Sequence, residues 1–297
     1  RFDFRFVTRC LHEEIDVKDG DLSLRLAFDV GGSFVKAGLV HIESGLVMGE
    51  TLRRATPAGA APEAVLELLV AMARDLPSSG PVGLAFPAVA KQGVAWTAAN
   101  IDKRWIGMNV QGHMQARLQR QVAFLNDADA AGIAEMTLGA GRDRAGTVMV
   151  ITLGTGIGTA LFVDGRLLPN TELGHLEVRG KEAEHRASAK VRADLDLDWV
   201  EWAAAVNEVL EAYHSLLWPD VFVIGGGVTE NWQHFGSLLS SRADIVPGRG
   251  QQLRQHVERP ERPLRNRVAG GAEPLHLDAG QRFQHALGTA DILAERL

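Results

Sequence analysis

Asn126 and Asp127 stand side by side where a short apolar run, 122–125, meets a segment of helical character. An aspartate so placed could take the proton from an alcohol, the general-base role in phosphoryl transfer to a hydroxyl. The pair also suits the start of a helix, where capping alone selects Asn and Asp. Three glycine-rich turns, each attached to an apolar run, flank it. The first runs Asp29-Val30-Gly31-Gly32-Ser33 and on to Lys36, the second is Gly154-Thr155-Gly156-Ile157-Gly158, and the third is Gly225-Gly226-Gly227. Backbone N–H groups in such turns, with a hydroxyl from Ser33 or Thr155, make cradles for anions. A single turn of this kind fits tight hairpin geometry equally well; three around one Asn-Asp pair point to phosphoryl transfer. Asp29 ends a strand at the first turn, where its carboxylate could hold Mg²⁺ through water or merely close an Asx-turn. Lys36 falls on the next strand, as a phosphate ligand or a solvated edge residue. Asp129 is expected to point away from the site and to complement the helix dipole.

These residues need a frame. Strand-like runs at 24–30, 35–42 and 46–52 are separated by glycine turns. Residues 61–76 follow as a helix, with Val65, Leu68, Leu69 and Met72 at helical spacing. Further strands are expected at 82–86 and 122–125, then a helix at 128–138 with Asn126-Asp127 at its positive end. A hairpin, 147–153 with 158–163, surrounds the second glycine turn. A long helix over 196–217 places Val200, Ala203, Val206, Val209, Leu210 and Tyr213 on one face, and the strand 221–224 feeds the third turn. Strands, then a helix, then the same order again imply a duplicated α/β core.

Composition bounds the remaining possibilities. The 297 residues suggest two domains, and 46% hydrophobic content is ample for a core. A net charge of −6 argues against a general nucleic-acid binder. The only cysteine, Cys10, excludes an internal disulfide or a cysteine-rich zinc site. No apolar run is long enough to span a membrane and no signal segment is evident, so a cytoplasmic protein with no membrane partner is expected. Residues 1–21 lack periodicity and read as an N-terminal extension. From Gly248 onward there are eight arginines and no lysine, and residues 248–297 read as an atypical, disordered tail.

Five motifs occur in order: Asp29-Val-Gly-Gly-Ser-Phe-Val-Lys36, Leu125-Asn-Asp-Ala128, Gly154-Thr-Gly-Ile-Gly158, Glu172-Leu-Gly-His175 and Gly225-Gly-Gly-Val228. Together they resemble the ROK (repressor, open reading frame, kinase) sugar kinases, over about residues 24–247. The stretches 96–107 and 182–188 resemble the polyphosphate glucokinase branch, which includes polyphosphate/ATP glucomannokinases. The resemblance implies a two-domain actin/hexokinase-like (ribonuclease H-like) α/β fold with a cleft between domains. Residues 22–125 would form the smaller domain and 126–297 the larger. It implies phosphorylation of glucose, with mannose as a further substrate, at the C6 hydroxyl by polyphosphate and/or ATP, with Mg²⁺ and within a homodimer. Asp127 would be the base, and Asn100, Asn126, Asp127, Glu172, His175 and, on a looser match, Glu184 would surround the sugar. Gly31, Gly32 and Ser33 would take the transferable phosphate, Gly154, Thr155 and Gly156 those behind it, and Gly225–Gly227 the adenosine side.

Two departures stand out. The cysteine-rich zinc motif that many ROK proteins carry after Glu-x-Gly-His is missing, so no structural zinc is expected. After Pro247 the pattern of the family's closing helix is lost. Glu172 and His175, three apart, could share one face of a helical turn or form an ordinary surface pair. Arg179, Lys181, Arg186, Lys190 and Arg192, with Lys103 and Arg104, could guide a polyanion or form a solvated face partly cancelled by Glu182 and Glu184. Trp96, Trp105, Trp199 and Trp202 read as core or hinge packing. The alternatives are an ATP-dependent ROK kinase for another hexose or amino sugar, an inactive sugar-binding relative, and a ROK-type repressor. The last would need a helix-turn-helix before Leu24, for which 23 residues are too few.

Overall fold

A computed structural model describes residues 24–99 and 101–249. Cys10, the expected N-terminal extension, Asn100 and the tail from residue 250 lie outside the described residues. Within them, two five-stranded sheets repeat one plan. In the first, β1 (Leu24–Val30), β2 (Phe34–His41) and β3 (Val47–Ala55) form an antiparallel meander. Strands β4 (Val82–Phe86) and, beyond a two-stranded ribbon of β5 (Ala90–Lys91) and β6 (Val94–Ala95), β7 (Val122–Asn126) then add in parallel, giving the order β3-β2-β1-β4-β7. The second sheet repeats this with β8 (Thr147–Leu153), β9 (Ile157–Val163), β10 (Arg166–Leu168), β13 (Val221–Gly225) and β14 (Asp244–Pro247), in the order β10-β9-β8-β13-β14. Between them in sequence, β11 (Glu177–Val178) and β12 (Lys181–Glu182) pair as a second ribbon. The duplicated α/β core read from the sequence is the fold observed.

Parallel neighbours need crossovers, and the helices supply them. Helix α1 (Pro62–Asp75) starts with proline at its first turn, where no N–H is needed, and fully buries Val65, Leu66, Leu69 and Met72 against the first sheet. Each such side chain contributes roughly 1.5–3 kcal/mol on burial. Helix α2 (Val110–Leu118) connects β4 to β7 and adds Val110 and Met114 to that core. The opposite face of β1–β3, along Ala27, Asp29, Lys36, Gly38 and Val40, borders an open groove of about 640 Å³.

The second sheet is covered on both faces. Helix α3 (Asp127–Thr137) directly follows β7 and packs Ile133 and Met136 with Val148, Val150 and Phe162. The short helices α4 (Ala183–Ala187) and α5 (Ala189–Asp194) lead to α6 (Trp199–Leu217), whose Trp202, Val206, Val209, Leu210 and Tyr213 pack on Met149, Ile151 and Leu153. Asp198 and Glu201 form a capping box that starts α6 at residue 199 rather than 196. Val200 is 64% exposed and Trp202 fully buried, so the buried stripe of α6 runs through Trp202, not Val200 as expected. Trp105 and Trp202 are core residues; Trp96, at 55% exposure, is not, and its indole N–H donates to the Lys91 carbonyl.

Candidate active site

Asn126 closes β7 and caps α3. Its Oδ1 accepts the N–H groups of Ala128 (2.9 Å) and Asp129 (3.1 Å). The capping role weighed for the pair therefore falls to Asn126 and frees Asp127 for other work. Asp127 is the first residue of α3, open to solvent yet ringed by protein, and its Oδ1 accepts the Ala128 N–H at 2.9 Å. Loss of hydration raises its pKa to about 6; the Ala128 hydrogen bond opposes the shift, and the charges of Asp29 and Glu172 add to it.

Glu172 reaches the same spot from the second sheet. Its Oε1 accepts from Asn126 Nδ2 at 3.3 Å, and its Oε2 lies 3.8 Å from His175 Nε2. Burial raises its pKa, against the pull of His175. Glu172 has left-handed backbone (φ 44°) and precedes a single 3-10 turn, Leu173–His175, so Glu172 and His175 share that turn. Three bonds hold the turn: Thr159 Oγ1 accepts the Leu173 N–H at 3.1 Å, Thr171 Oγ1 donates to the Thr159 carbonyl at 3.1 Å, and Tyr213 Oη donates to the Leu173 carbonyl at 2.8 Å. Tyr213 itself titrates far above its ordinary range because it is buried and faces Glu184. His175 Nδ1 lies 3.3 Å from Glu182 and 3.9 Å from Glu184. A Cβ on Gly156 would come within 2.3 Å of Glu184 Oε2, so glycine there lets the second loop abut Glu184.

The glycine turns are partly self-bonded. Gly31 N–H donates to the Phe34 carbonyl (2.9 Å) and Gly154 N–H to the Gly156 carbonyl (3.0 Å). The first turn can therefore offer the amides of Gly32 and Ser33, and the second those of Thr155 and Gly156. Thr56 clamps the first turn through the Gly31 and Ser33 carbonyls. At Gly226 the backbone adopts φ +92° and a Cβ would meet the Leu153 carbonyl at 2.5 Å, so the second and third loops touch only because that residue is glycine. Gly225 ends β13 and Gly227 opens the next 3-10 turn. Lys36 Nζ pairs with Asp29 Oδ2 at 3.1 Å, so it is not a free edge residue.

Matching of the chain to known families and proteins fits this geometry. The ROK family profile matches residues 25–190. The chain is 44% identical over 220 residues to the polyphosphate glucokinase of Mycobacterium tuberculosis (strain CDC 1551 / Oshkosh), covering 74% of this chain and 83% of that one. The chain belongs to the ROK family. The polyphosphate/ATP-glucomannokinase of Arthrobacter sp. strain KM superposes with a TM-score of 0.73 at 40% identity, over 79% of this chain and 94% of that one. A ROK glucokinase from Streptomyces griseus, determined with glucose and AMPPNP, matches with a TM-score of 0.64 over 77% and 96% of the two chains; at 23% identity it speaks for the fold. The fold is therefore the actin/hexokinase-like α/β fold of ROK sugar kinases.

Several residues of this ROK chain differ from their sequence-based reading. Asp129, expected only to point away from the site and complement the helix dipole, is 1% exposed and held inside: its Oδ2 accepts the Asn170 N–H at 2.9 Å, and burial raises its pKa to about 6. Residue 129 is one of the first three of α3, and it turns toward β10 and the loop after it. The basic cluster is largely engaged. Arg179 and Arg186 both bind Glu208, Lys190 binds Asp194, Arg104 binds Asp102, Lys103 donates to the Ala98 carbonyl, and Arg192 stacks 3.5 Å over the Trp199 ring centroid. Glu182 and Glu184, expected to cancel part of that charge, face His175 and His185 instead. Sequence reasoning passed over Asn170 and Thr159, and it read Tyr213, the chain's only tyrosine, as part of a helix face without giving it a part in the site.

Proposed function

We propose that this chain phosphorylates glucose at the C6 hydroxyl, with inorganic polyphosphate or ATP as donor and Asp127 as general base. The observation that carries the reading is the accessible Asp127 carboxylate, titrating near 6 beside Asn126 and Glu172 at the junction of the two sheets. A base with that pKa is ionised at neutral pH, yet binds a proton far more readily than an ordinary aspartate. The 44% identity to a polyphosphate glucokinase supports a kinase with that acceptor and donor.

In this reading Asn126, Glu172, His175 and Glu184, with Asn100, hold the sugar hydroxyls by paired donors and acceptors. Asp127 takes the C6 proton as the phosphoryl group transfers in line. The amides of Gly32, Ser33, Thr155 and Gly156 face charge on the transferring and following phosphates. Gly225–Gly227, with Gly226 packed on Leu153, serve the nucleotide when ATP is the donor. Asp29 suits Mg²⁺: it is a hard oxygen donor beside the first turn, and Lys36 engages only one of its oxygens. Bound there through water, Mg²⁺ would neutralise phosphate charge. Three hydrophobic clusters, one from residues 26–124 and two from residue 133 onward, support a lobe boundary at 125/126. A cytoplasmic homodimer is the setting proposed; among the described residues no helix is long and apolar enough to cross a membrane.

The test is glucose 6-phosphate formation with Mg²⁺, polyphosphate and ATP being supplied separately. Product from either donor is expected, and no product from either refutes the reading. With mannose in place of glucose, the same assay measures acceptor tolerance.

A further inference from the structure

Asp129 and Asn170 lie outside the groups that would touch sugar or phosphate, yet their bonds link segments far apart in the chain. Asn170 sits just after β10 with φ +58°, a conformation that asparagine tolerates better than most residues. Its main chain and side chain point to different partners. The N–H donates to Asp129 Oδ2 at 2.9 Å. The side chain reads the main chain of residue 90 at both ends: Oδ1 accepts the Ala90 N–H at 2.8 Å and Nδ2 donates to the Ala90 carbonyl at 3.1 Å. Ala90 belongs to the ribbon between β4 and β7 of the first sheet, and Asn170 to the loop that leaves the second sheet's β10. Two residues before Ala90, the Ala88 carbonyl accepts from Asn126 Nδ2 at 3.1 Å. Two residues after Asn170, Glu172 accepts from that same Asn126 Nδ2. Asn126 Oδ1 in turn accepts the Asp129 N–H, which closes the circuit.

We propose that Asp129 and Asn170 are positioning residues that bring the two halves of the sugar site into register. Asp129 fixes the main chain of Asn170, Asn170 grips Ala90, and Glu172 is thereby delivered to Asn126 beside Asp127. The proposal rests on the sugar-kinase reading of that site. A ring of this kind gives directional bonds at each joint, where apolar packing alone would let the 170–172 segment slide. Asp129 is 1% exposed, and its Oδ1 has no partner among the described residues, so its carboxylate is kept at a desolvation cost that a surface helix acid would not carry. The single bond it makes there is to Asn170.

The experiment compares Asn170→Gly, Asp129→Ala and Asp129→Asn with wild type in steady-state glucose 6-phosphate formation. Glycine accepts φ +58° without strain, so Asn170→Gly removes the grip on Ala90 and leaves the backbone conformation allowed. Loss of two half-buried hydrogen bonds that set the register is expected to raise the glucose KM by about tenfold, while kcat and the donor KM change by less than about threefold. Asp129→Ala should do the same. Asp129→Asn, which retains an acceptor for the Asn170 N–H, should recover most of the wild-type KM. A lowered melting temperature with an unchanged glucose KM in Asn170→Gly means a merely structural role and overturns the proposal. If Asp129→Ala does not fold, Asn170→Gly and Asn170→Asp decide the matter on the same readout. A wild-type protein that forms no product strikes the reaction assigned to the site. The joint is then judged by glucose calorimetry: weaker binding by Asn170→Gly supports it, and equal binding overturns it.

Discussion

The raised pKa of Asp127 predicts a specific pH profile. Were the base an ordinary aspartate titrating at 3.8, it would stay almost fully ionised from pH 8 to pH 5 and leave no acidic limb in that range. A group titrating at about 6 is instead about ten parts ionised to one protonated at pH 7 and the reverse at pH 5, so kcat/KM should fall about tenfold between them. Asp129 also titrates near 6 and Glu172 is raised, so the limb belongs to a coupled cluster until variants divide it. Three substitutions do so. Asp127→Ala should lower kcat by about 10²–10⁴-fold with a much smaller change in glucose KM. Glu172→Gln removes a negative neighbour of Asp127 and should move the limb of the residual activity to lower pH. Asp129→Asn removes the second group near 6 and should leave the limb in place. The assay is initial-rate glucose 6-phosphate formation from pH 4.5 to 8 at constant ionic strength, with glucose below its KM. A limb near 4, or full turnover in a folded Asp127→Ala protein, refutes Asp127 as the base.

The same titrations bear on stability. Asp127 and Asp129 bind protons more tightly in the folded protein than an ordinary aspartate at 3.8, so their contribution to stability grows as pH falls from about 6 toward 4 and is lost as pH rises through 6. Asp127→Asn should therefore raise the melting temperature at pH 7.5, and have little effect at pH 4, in thermal scans. Gly226→Ala places a Cβ 2.5 Å from the Leu153 carbonyl at φ +92° and should cost about 1–3 kcal/mol in urea unfolding; a smaller loss means the two loops separate easily. Tyr213→Phe removes the bond to the Leu173 carbonyl and should cost about 1 kcal/mol while raising the glucose KM more than the donor KM. Arg186→Ala should lower the melting temperature through loss of its pairing with Glu208, yet leave the polyphosphate KM within about twofold; a tenfold rise would make that arginine part of a polyanion track.

The sequence alone determined the parts whose physics is local. Alternating apolar runs between glycine turns set β1, β2, β8 and β9 to within a residue or two, because a half-buried strand and a tight turn each need only a few consecutive residues. The repeated order of elements gave the duplicated core, and Asn126-Asp127 marked the start of α3 through capping preference. Tertiary structure decided which of the two caps and which is left for chemistry, since Asn126 also reaches the Ala88 carbonyl, 38 positions away, and Glu172 beyond it. It turned Asp129 inward, a choice that helix periodicity could not make while the location of the second sheet was unknown. It paired the arginines with Glu208 and the lysine at 190 with Asp194, so a charge run in the sequence became a set of local ion pairs. Asn170 left no trace in the sequence because its partner, Ala90, is 80 positions distant and bonds through backbone atoms that every residue carries. Local propensity fixes elements over roughly five to twenty residues. The candidate site lies where the ends of such elements meet, and only the packing of one sheet's loops against the other's brings its residues together.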